Sequence, residues 1–283
     1  NKANNFLQNH HERRVVIMFR QFFGLKYNPF GKELDISNVY ESEDMKELNS
    51  RFKYIQTIRG IFLLIGEPGM GKSTALRKLS NELNPGLYKP CYFSLSTVTV
   101  MDFYRGLLMS LGEVPSHKKV TMFHQIQQSI MSLYYNQKIT PVIILDEVQM
   151  LSNSILEELR LLFNFKMDSE NPFILVLSGQ SQIRNKLQLA INVPLKQRIA
   201  VKYIMQGLKP EELPDYIGTR LKAAGLHENI FTPAAIEAIY SASKGVPRLV
   251  NSLATASLMY ACSIKQKHID EEIVYQGQKD FEV

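Results

Sequence analysis

Residues 66–74 leave this chain few folds to choose from: Gly66-Glu67-Pro68-Gly69-Met70-Gly71-Lys72-Ser73-Thr74. They fit the spacing G-x-x-x-x-G-K-[ST]. The apolar run Ile61-Phe62-Leu63-Leu64-Ile65 before them reads as a buried strand, and Thr74 to Leu83 reads as a helix. Glycines let the backbone curl so that successive N–H groups point inward, and the helix N-terminus adds the positive end of its dipole. Such a cradle holds phosphates without one large counter-charge. Residues 66–74 are therefore expected to bind a nucleoside triphosphate. Lys72 should reach the β- and γ-phosphates, and the Ser73 hydroxyl should ligate Mg²⁺.

Downstream, apolar runs and amphipathic stretches alternate. Cys91–Leu95, Val142–Leu145 and Phe173–Leu177 read as strands, the last two buried on both faces of a parallel sheet. Ser42–Thr57, Val100–Leu111, Met122–Tyr135 and Ser154–Phe165 read as helices. This order implies right-handed β–α–β units and a doubly wound α/β sheet. From Lys209 the strand signals vanish, and Glu211–Ala224, Thr232–Ser243, Arg248–Ser263 and Ile269–Gln278 are helical in pattern. The expected organisation is an N-terminal tail over residues 1–21, an α/β nucleotide-binding core over 22–207 and a small all-helical lid domain over 208–283. Residues 1–17 are polar and irregular, and are set aside as an extension ahead of Met18. The aromatic segment Phe22–Phe30 can pack over a purine ring or against the core.

The run Val142–Leu145 ends in Asp146-Glu147. Ligands of such sheets collect at the carboxyl ends of strands, so both acids should face the phosphate loop. Asp146 suits the Mg²⁺ shell together with Ser73. Glu147 suits orienting and deprotonating an attacking water. Charge that builds on a transferred phosphoryl group is commonly met by an arginine. Arg198, read as following the last core strand, can point at a neighbouring subunit's nucleotide. Arg248, at the start of a helix of the lid, can fold back on the γ-phosphate in cis. A surface salt bridge is the plainer role for each. Gln180 is placed to sense the γ-phosphate, with Ser178 as substitute if the register shifts.

Composition sets outer bounds. With 45% hydrophobic and 21% charged residues, the 283-residue chain has an ordinary globular make-up. No apolar run approaches the roughly 20 residues that span a bilayer, and no signal peptide is seen, so direct membrane insertion is not expected. The two cysteines, Cys91 and Cys262, lack ligand-spaced neighbours, which suits a reducing cytoplasm. The net charge of +6 permits an anionic partner.

Taken together these residues resemble an AAA+ ATPase, and more narrowly the ExeA-like branch related to the TnsC-type ATPases of transposition. The resemblance is carried by Phe23-Gly24-Leu25 with Asn28-Pro29-Phe30, and by Asp146-Glu147-Val148-Gln149-Met150-Leu151. It continues through Leu156–Leu162 with Asn164, Ser178-Gly179-Gln180, Gln197-Arg198-Ile199 and Gly245-Val246-Pro247-Arg248-Leu249-Val250-Asn251. It implies ATP and Mg²⁺ as cofactors, slow hydrolysis unless stimulated, Gln180 as sensor 1, Arg198 as trans finger and Arg248 as sensor 2. It departs after the sensor strand, where Gln180-Ser181-Gln182-Ile183 replaces a common Gln-Pro-Glu-Leu. Secretion-associated members also carry a membrane helix and a cell-wall-binding domain, for which the 283 residues are expected to leave no room.

The resemblance implies an ATP-dependent homo-oligomer and two partner readings. In the first, the chain assembles on duplex DNA and recruits or activates a transposase. Lys118, Lys119 and Thr121, in Ser116-His117-Lys118-Lys119-Val120-Thr121, would then meet DNA phosphates, unless they form a solvated basic loop. In the second, it is a secretion-type assembly ATPase acting on protein partners at the envelope.

Overall fold

The computed structural model describes residues 18–31, 39–94 and 99–280. Residues 1–17 of the expected tail, and Leu95 of an expected strand, lie outside them. Packing divides the chain into two compact units. One spans Met45–Gln206, and the other joins the described residues before Met45 to those from Gly207 onward.

The first unit is built on β1 (Gly60–Ile65), β2 (Tyr88–Ser94), β3 (Thr140–Asp146), β4 (Ile174–Gly179) and β5 (Ile199–Ile204). They form one parallel sheet in the order β2-β3-β4-β1-β5. Helix α1 (Glu43–Ile58) leads into β1, and α2 (Lys72–Glu82), α3 (Val100–Leu111), α4 (Lys119–Met131), α5 (Asn153–Leu162), α6 (Gln182–Gln188) and α7 (Val193–Gln197) lie in the connections between strands. Every residue of β1, β3 and β4 is buried, as a sheet covered on both faces requires. Ile61, Leu63 and Ile65 join a core with Leu107, Leu108, Ile126 and Leu159. Phe62, between them in sequence, meets Phe52 of α1 edge-on at 6.1 Å. Capping fixes the helix starts: Thr99 accepts from Asp102 N–H in a capping box, and Ser152 accepts from Ile155 N–H.

Sequence reading missed β5, α6 and α7. In β5 only Val201 and Tyr203 are buried, at 7% and 8% exposure, so this edge strand has no continuous apolar run to announce it. Arg198 therefore precedes the last strand instead of following it.

The second unit packs α8 (Leu213–Ala223), α9 (Pro233–Ser243), α10 (Pro247–Ser263) and α11 (Glu271–Asp280) around one core. That core also takes Phe19, Phe23, Leu25 and Phe30. Lys26 N–H donates to Ala224 O at 2.9 Å, Arg220 Nη2 to Gly31 O at 3.1 Å, and Phe30 meets Phe231 edge-on at 6.3 Å. The expected boundary at residue 22 is thus corrected. Phe19 is already fully buried, and the described residues of 18–44 build the helical unit because their apolar side chains find its core. Of the two placements open for the aromatic segment, it takes packing against a core. Gly245, at φ +75°, brings its backbone so close to residue 208 that an added Cβ would lie 2.1 Å from Leu208 O. That approach lets Leu208 N–H donate to Gly245 O at 2.9 Å.

Candidate active site

The loops after β1, β3 and β4 meet at the carboxyl end of the sheet. Gly66 N–H donates to Gly179 O at 3.1 Å, tying the first loop to the third. Gly69 and Gly71 adopt φ of 89° and 90°, which lets residues 66–71 curl. Gly71 is the N-cap of α2 and has no side chain with which to satisfy the helix's first amides. Those amides are available to an anion. Lys72 is 7% exposed, and its ammonium donates to Gly66 O at 2.7 Å and Glu67 O at 3.4 Å. A cation this buried needs acceptors, and the loop carbonyls supply them. Glu67, Pro68 and Ser73 are exposed, and Gly69, Met70 and Thr74 are half-buried.

Asp146, at 5% exposure, ends β3 with both carboxylate oxygens engaged. Oδ1 accepts from Ser178 Oγ at 2.8 Å and from Glu147 N–H at 3.0 Å, while Oδ2 faces Ser73 Oγ at 3.5 Å. Glu147 sits at φ 55°, ψ 36°, a left-handed conformation unusual for a side-chain-bearing residue. Its carboxylate accepts from Gln149 Nε2 and, at 3.4 Å, from Gln180 Nε2. Gln149 Oε1 in turn accepts from Gln180 N–H at 3.0 Å. Glu147 and Gln180 are thereby brought together, whereas Ser178, fully buried, is committed to Asp146. Sequence reasoning gave Gln149 no role. Its signal is a polar side chain inside the otherwise apolar turn Val148–Met150, where it is only 9% exposed.

The other expected site residues lie elsewhere. Arg198 caps the C-terminus of α7 and donates from Nη1 to Arg160 O at 2.7 Å. The strand it precedes pairs Ile199 with Ile61, at the start of β1, whereas the phosphate loop follows Ile65 at the other end. Arg248 is exposed in the first turn of α10, within the helical unit, and Pro247 occupies that helix's first position. Helix dipoles disfavour a cation there, which leaves its charge suited to an anion. Lys118, Lys119 and Thr121 are exposed at the start of α4. Lys119 is ion-paired with Glu158 and lies 5.8 Å from the Tyr104 ring centre. Tyr104 Oη donates to the same carboxylate at 2.6 Å. Burial, then that hydrogen bond, push the phenol well above its ordinary range.

The donor set fits Mg²⁺ and a triphosphate. Neighbouring ligands of an octahedral Mg²⁺ lie about 2.9 Å apart, given metal–oxygen distances of about 2.0–2.1 Å. Ser73 Oγ and Asp146 Oδ2, at 3.5 Å, need only a small inward shift to share one ion. Asp146 brings the charge and Ser73 the hydroxyl.

A sheet ordered β2-β3-β4-β1-β5, with a phosphate loop after β1 and an acid pair after β3, defines the AAA+ P-loop NTPase fold, here joined to a helical unit. Residues 56–187 match the family model of an AAA domain. Over 248 residues the chain is 31% identical to General secretion pathway protein A of Aeromonas hydrophila, covering 86% of this chain and 45% of that protein. The chain thus spans less than half the length of this relative. Among solved structures, the Aeropyrum pernix ORC2 protein in ADPNP–ADP complexes superimposes with TM-score 0.67 at 15% identity, covering 90% of this chain and 72% of that one. The Aeropyrum pernix ORC1 protein in complex with DNA gives TM-score 0.65 at 15% identity, covering 90% and 69%. The Thermotoga maritima RuvB Holliday junction branch migration motor gives 0.57 at 21% identity, covering 84% and 68%.

Proposed function

We propose that this chain is a Mg²⁺-dependent ATPase whose nucleotide cycle controls assembly with itself and with a partner. The observation that carries this is the convergence of Ser73 on Asp146 and of Gln180 on Glu147, beside the curled loop that holds Lys72. On binding, Lys72 exchanges loop carbonyls for β- and γ-phosphate oxygens, and the amides of residues 69–74 cradle the rest. Ser73 and Asp146 would hold Mg²⁺, which would supply positive charge against the phosphates. Glu147 orients the attacking water and accepts its proton, with Gln180 fixing the carboxylate and contacting the γ-phosphate. Arg248 is the second-sensor candidate that the family resemblance implies. Arg198 acts on a neighbouring copy, since the length of β1, roughly 15 Å at about 3.3 Å per residue, lies between its end of the sheet and its own loop.

The partner is argued from different support. The secretion-pathway relative favours a protein partner at the cell envelope, reached from the cytoplasm where ATP is supplied. A DNA partner draws on the ORC1 structure with DNA and on exposed Lys118 and Thr121, but Lys119 is already engaged by Glu158. Transposase recruitment rests on the family resemblance alone. The protein-directed reading is therefore the one we adopt. Co-sedimentation with duplex DNA, with and without a non-hydrolysable ATP analogue, tests it: nucleotide-dependent, salt-sensitive binding restores the DNA reading.

The ATPase assignment is tested by two substitutions. Lys72→Ala should abolish tight ATP binding measured with a fluorescent analogue, and undiminished affinity sinks the phosphate-loop assignment. Glu147→Gln should keep binding and lose about 10²–10⁴-fold in turnover, because the amide preserves shape without a base.

A further inference from the structure

The helical unit carries a groove that the nucleotide chemistry does not use. Phe231 and Ile269 form a parallel bridge, with Ile269 N–H on Ile230 O at 2.7 Å and Thr232 N–H on Ile269 O at 2.9 Å. Helices α9 and α11, which follow these residues, therefore start side by side. Between them runs an open groove of about 590 Å³. Its floor is small and apolar: Ala234, Ala238 and Ala242 recur every fourth residue on α9, and Val274 faces them from α11. Its wall is Tyr275, an aromatic ring left 53% exposed, with Lys279 Nζ 4.3 Å from the ring centre. Its rim carries the carboxylates of Glu237, Glu271 and Glu272.

Those carboxylates lack cationic partners. None of the three has an ion pair among the described residues, and Glu272 accepts only from Gln276 Nε2, at 2.6 Å. In a chain of net charge +6, three rim carboxylates without an ion pair among the described residues are a departure; the nearby cation, Lys279, lies over the Tyr275 ring instead. Position explains part of it, since Glu271 and Glu272 favour the positive end of α11. It does not explain Glu237, four residues into α9, or the bare alanine floor beside it.

We propose that this groove receives a basic amphipathic segment of a protein partner. Apolar side chains of that segment lie on Ala234, Ala238 and Ala242 against Tyr275, and its Lys or Arg residues pair with Glu237, Glu271 and Glu272. Alanines keep the floor low enough for an incoming helix to approach closely, and an aromatic wall is a common anchor of such interfaces. The charge on the rim excludes nucleic acid and selects against an acidic segment. The proposal does not depend on the ATPase reading, because every group it uses lies in the helical unit.

The test uses the full chain and a labelled synthetic helical peptide with Leu on one face and Lys on the other, read by fluorescence anisotropy. Binding should saturate, weaken with salt, and fall about tenfold when Glu237, Glu271 and Glu272 are all replaced by Gln. Ala242→Trp, at an exposed position, should block the groove without disturbing the fold, and circular dichroism and ATP turnover of both variants should match wild type. Binding of the Gln variant equal to wild type, or equal affinity for a Glu-bearing version of the peptide, overturns the proposal. So does concentration-dependent self-association of the wild-type chain that Ala242→Trp abolishes, since the occupant would then be a second copy.

Discussion

Both ends of the Gln149 amide are in use, and this makes it the hinge-pin of the acid end of the site. Its nitrogen donates to Glu147, and its oxygen accepts from Gln180 N–H at 3.0 Å. Glu147 itself is held at φ 55°, so its side chain depends on partners to choose a direction. Gln149→Leu keeps the volume and removes both hydrogen bonds. Turnover should fall roughly 10–10²-fold, the scale expected when a catalytic group is misplaced by about an ångström. ATP affinity should stay within about twofold, because Lys72 and Ser73 are untouched. Parallel titrations and turnover measurements check the split; an equal loss in affinity means that Gln149 supports the fold and not the base. Gly179 belongs to the same arrangement. A Cβ there would lie 2.8 Å from Gln149 Oε1 and 2.9 Å from Val148 Cγ2. Gly179→Ala should therefore lower turnover like the Leu variant and cost about 1–3 kcal/mol in urea unfolding.

Among the elements, chain reversals impose the sharpest demands. Gly245→Ala would drive a methyl into Leu208 O, which lies 2.1 Å from the added carbon, and nothing nearby is a flexible side-chain tip. Roughly 3 kcal/mol or more of destabilisation should follow, read as a lowered thermal midpoint of the helical unit. Buried Cys91 on β2 gives a pH signature: burial pushes its thiol from 9.0 up to about 11. Ionisation is thus easier in the unfolded chain. Stability from the neutral thiol is intact below pH 9 and is lost as pH rises through about 11. Cys91→Ala should flatten that decline, and an unchanged slope in denaturant titrations across the range removes the thiol as its source. Strands and helices with strong patterns were legible in the sequence: β1, β3 and β4 as continuous apolar runs, α3 and α8 to α11 by period and caps. What lacked a pattern was missed. β5 is half-exposed, α6 and α7 are short, and the Phe19–Phe30 segment reveals its core only once α8 and α9 are folded beside it. In the candidate site, the placement of Lys72, Ser73, Asp146 and Glu147 at the strand ends was legible because contiguous motifs carry them. Gln149 was not, because its role exists only through contacts with Glu147 and Gln180.

At the scale of the whole molecule, the trans role proposed for Arg198 would make one chain an incomplete catalyst. It precedes β5 at the start of the sheet, its backbone neighbour Ile199 pairing with Ile61, while the phosphate loop begins after Ile65. No rotamer of an arginine side chain covers that span. Arg198 Nη1 is held by Arg160 O at 2.7 Å, which aims the guanidinium toward α5. If it completes a second copy's site, activity belongs to interfaces and not to chains. Arg198→Ala should lose on the order of 10³–10⁵ in stimulated turnover while keeping ATP affinity, since the finger acts on developing charge. Lys72→Ala should be inactive for the opposite reason, lacking an occupied loop but keeping the finger. Mixed, the two dead variants generate interfaces that pair an intact loop with an intact arginine. Turnover should then reappear and pass through a maximum as the mixing ratio is varied. A mixture that co-assembles by light scattering yet stays as inactive as its components would place Arg198 outside the neighbour's site, and the proposed oligomeric mechanism would fall with it.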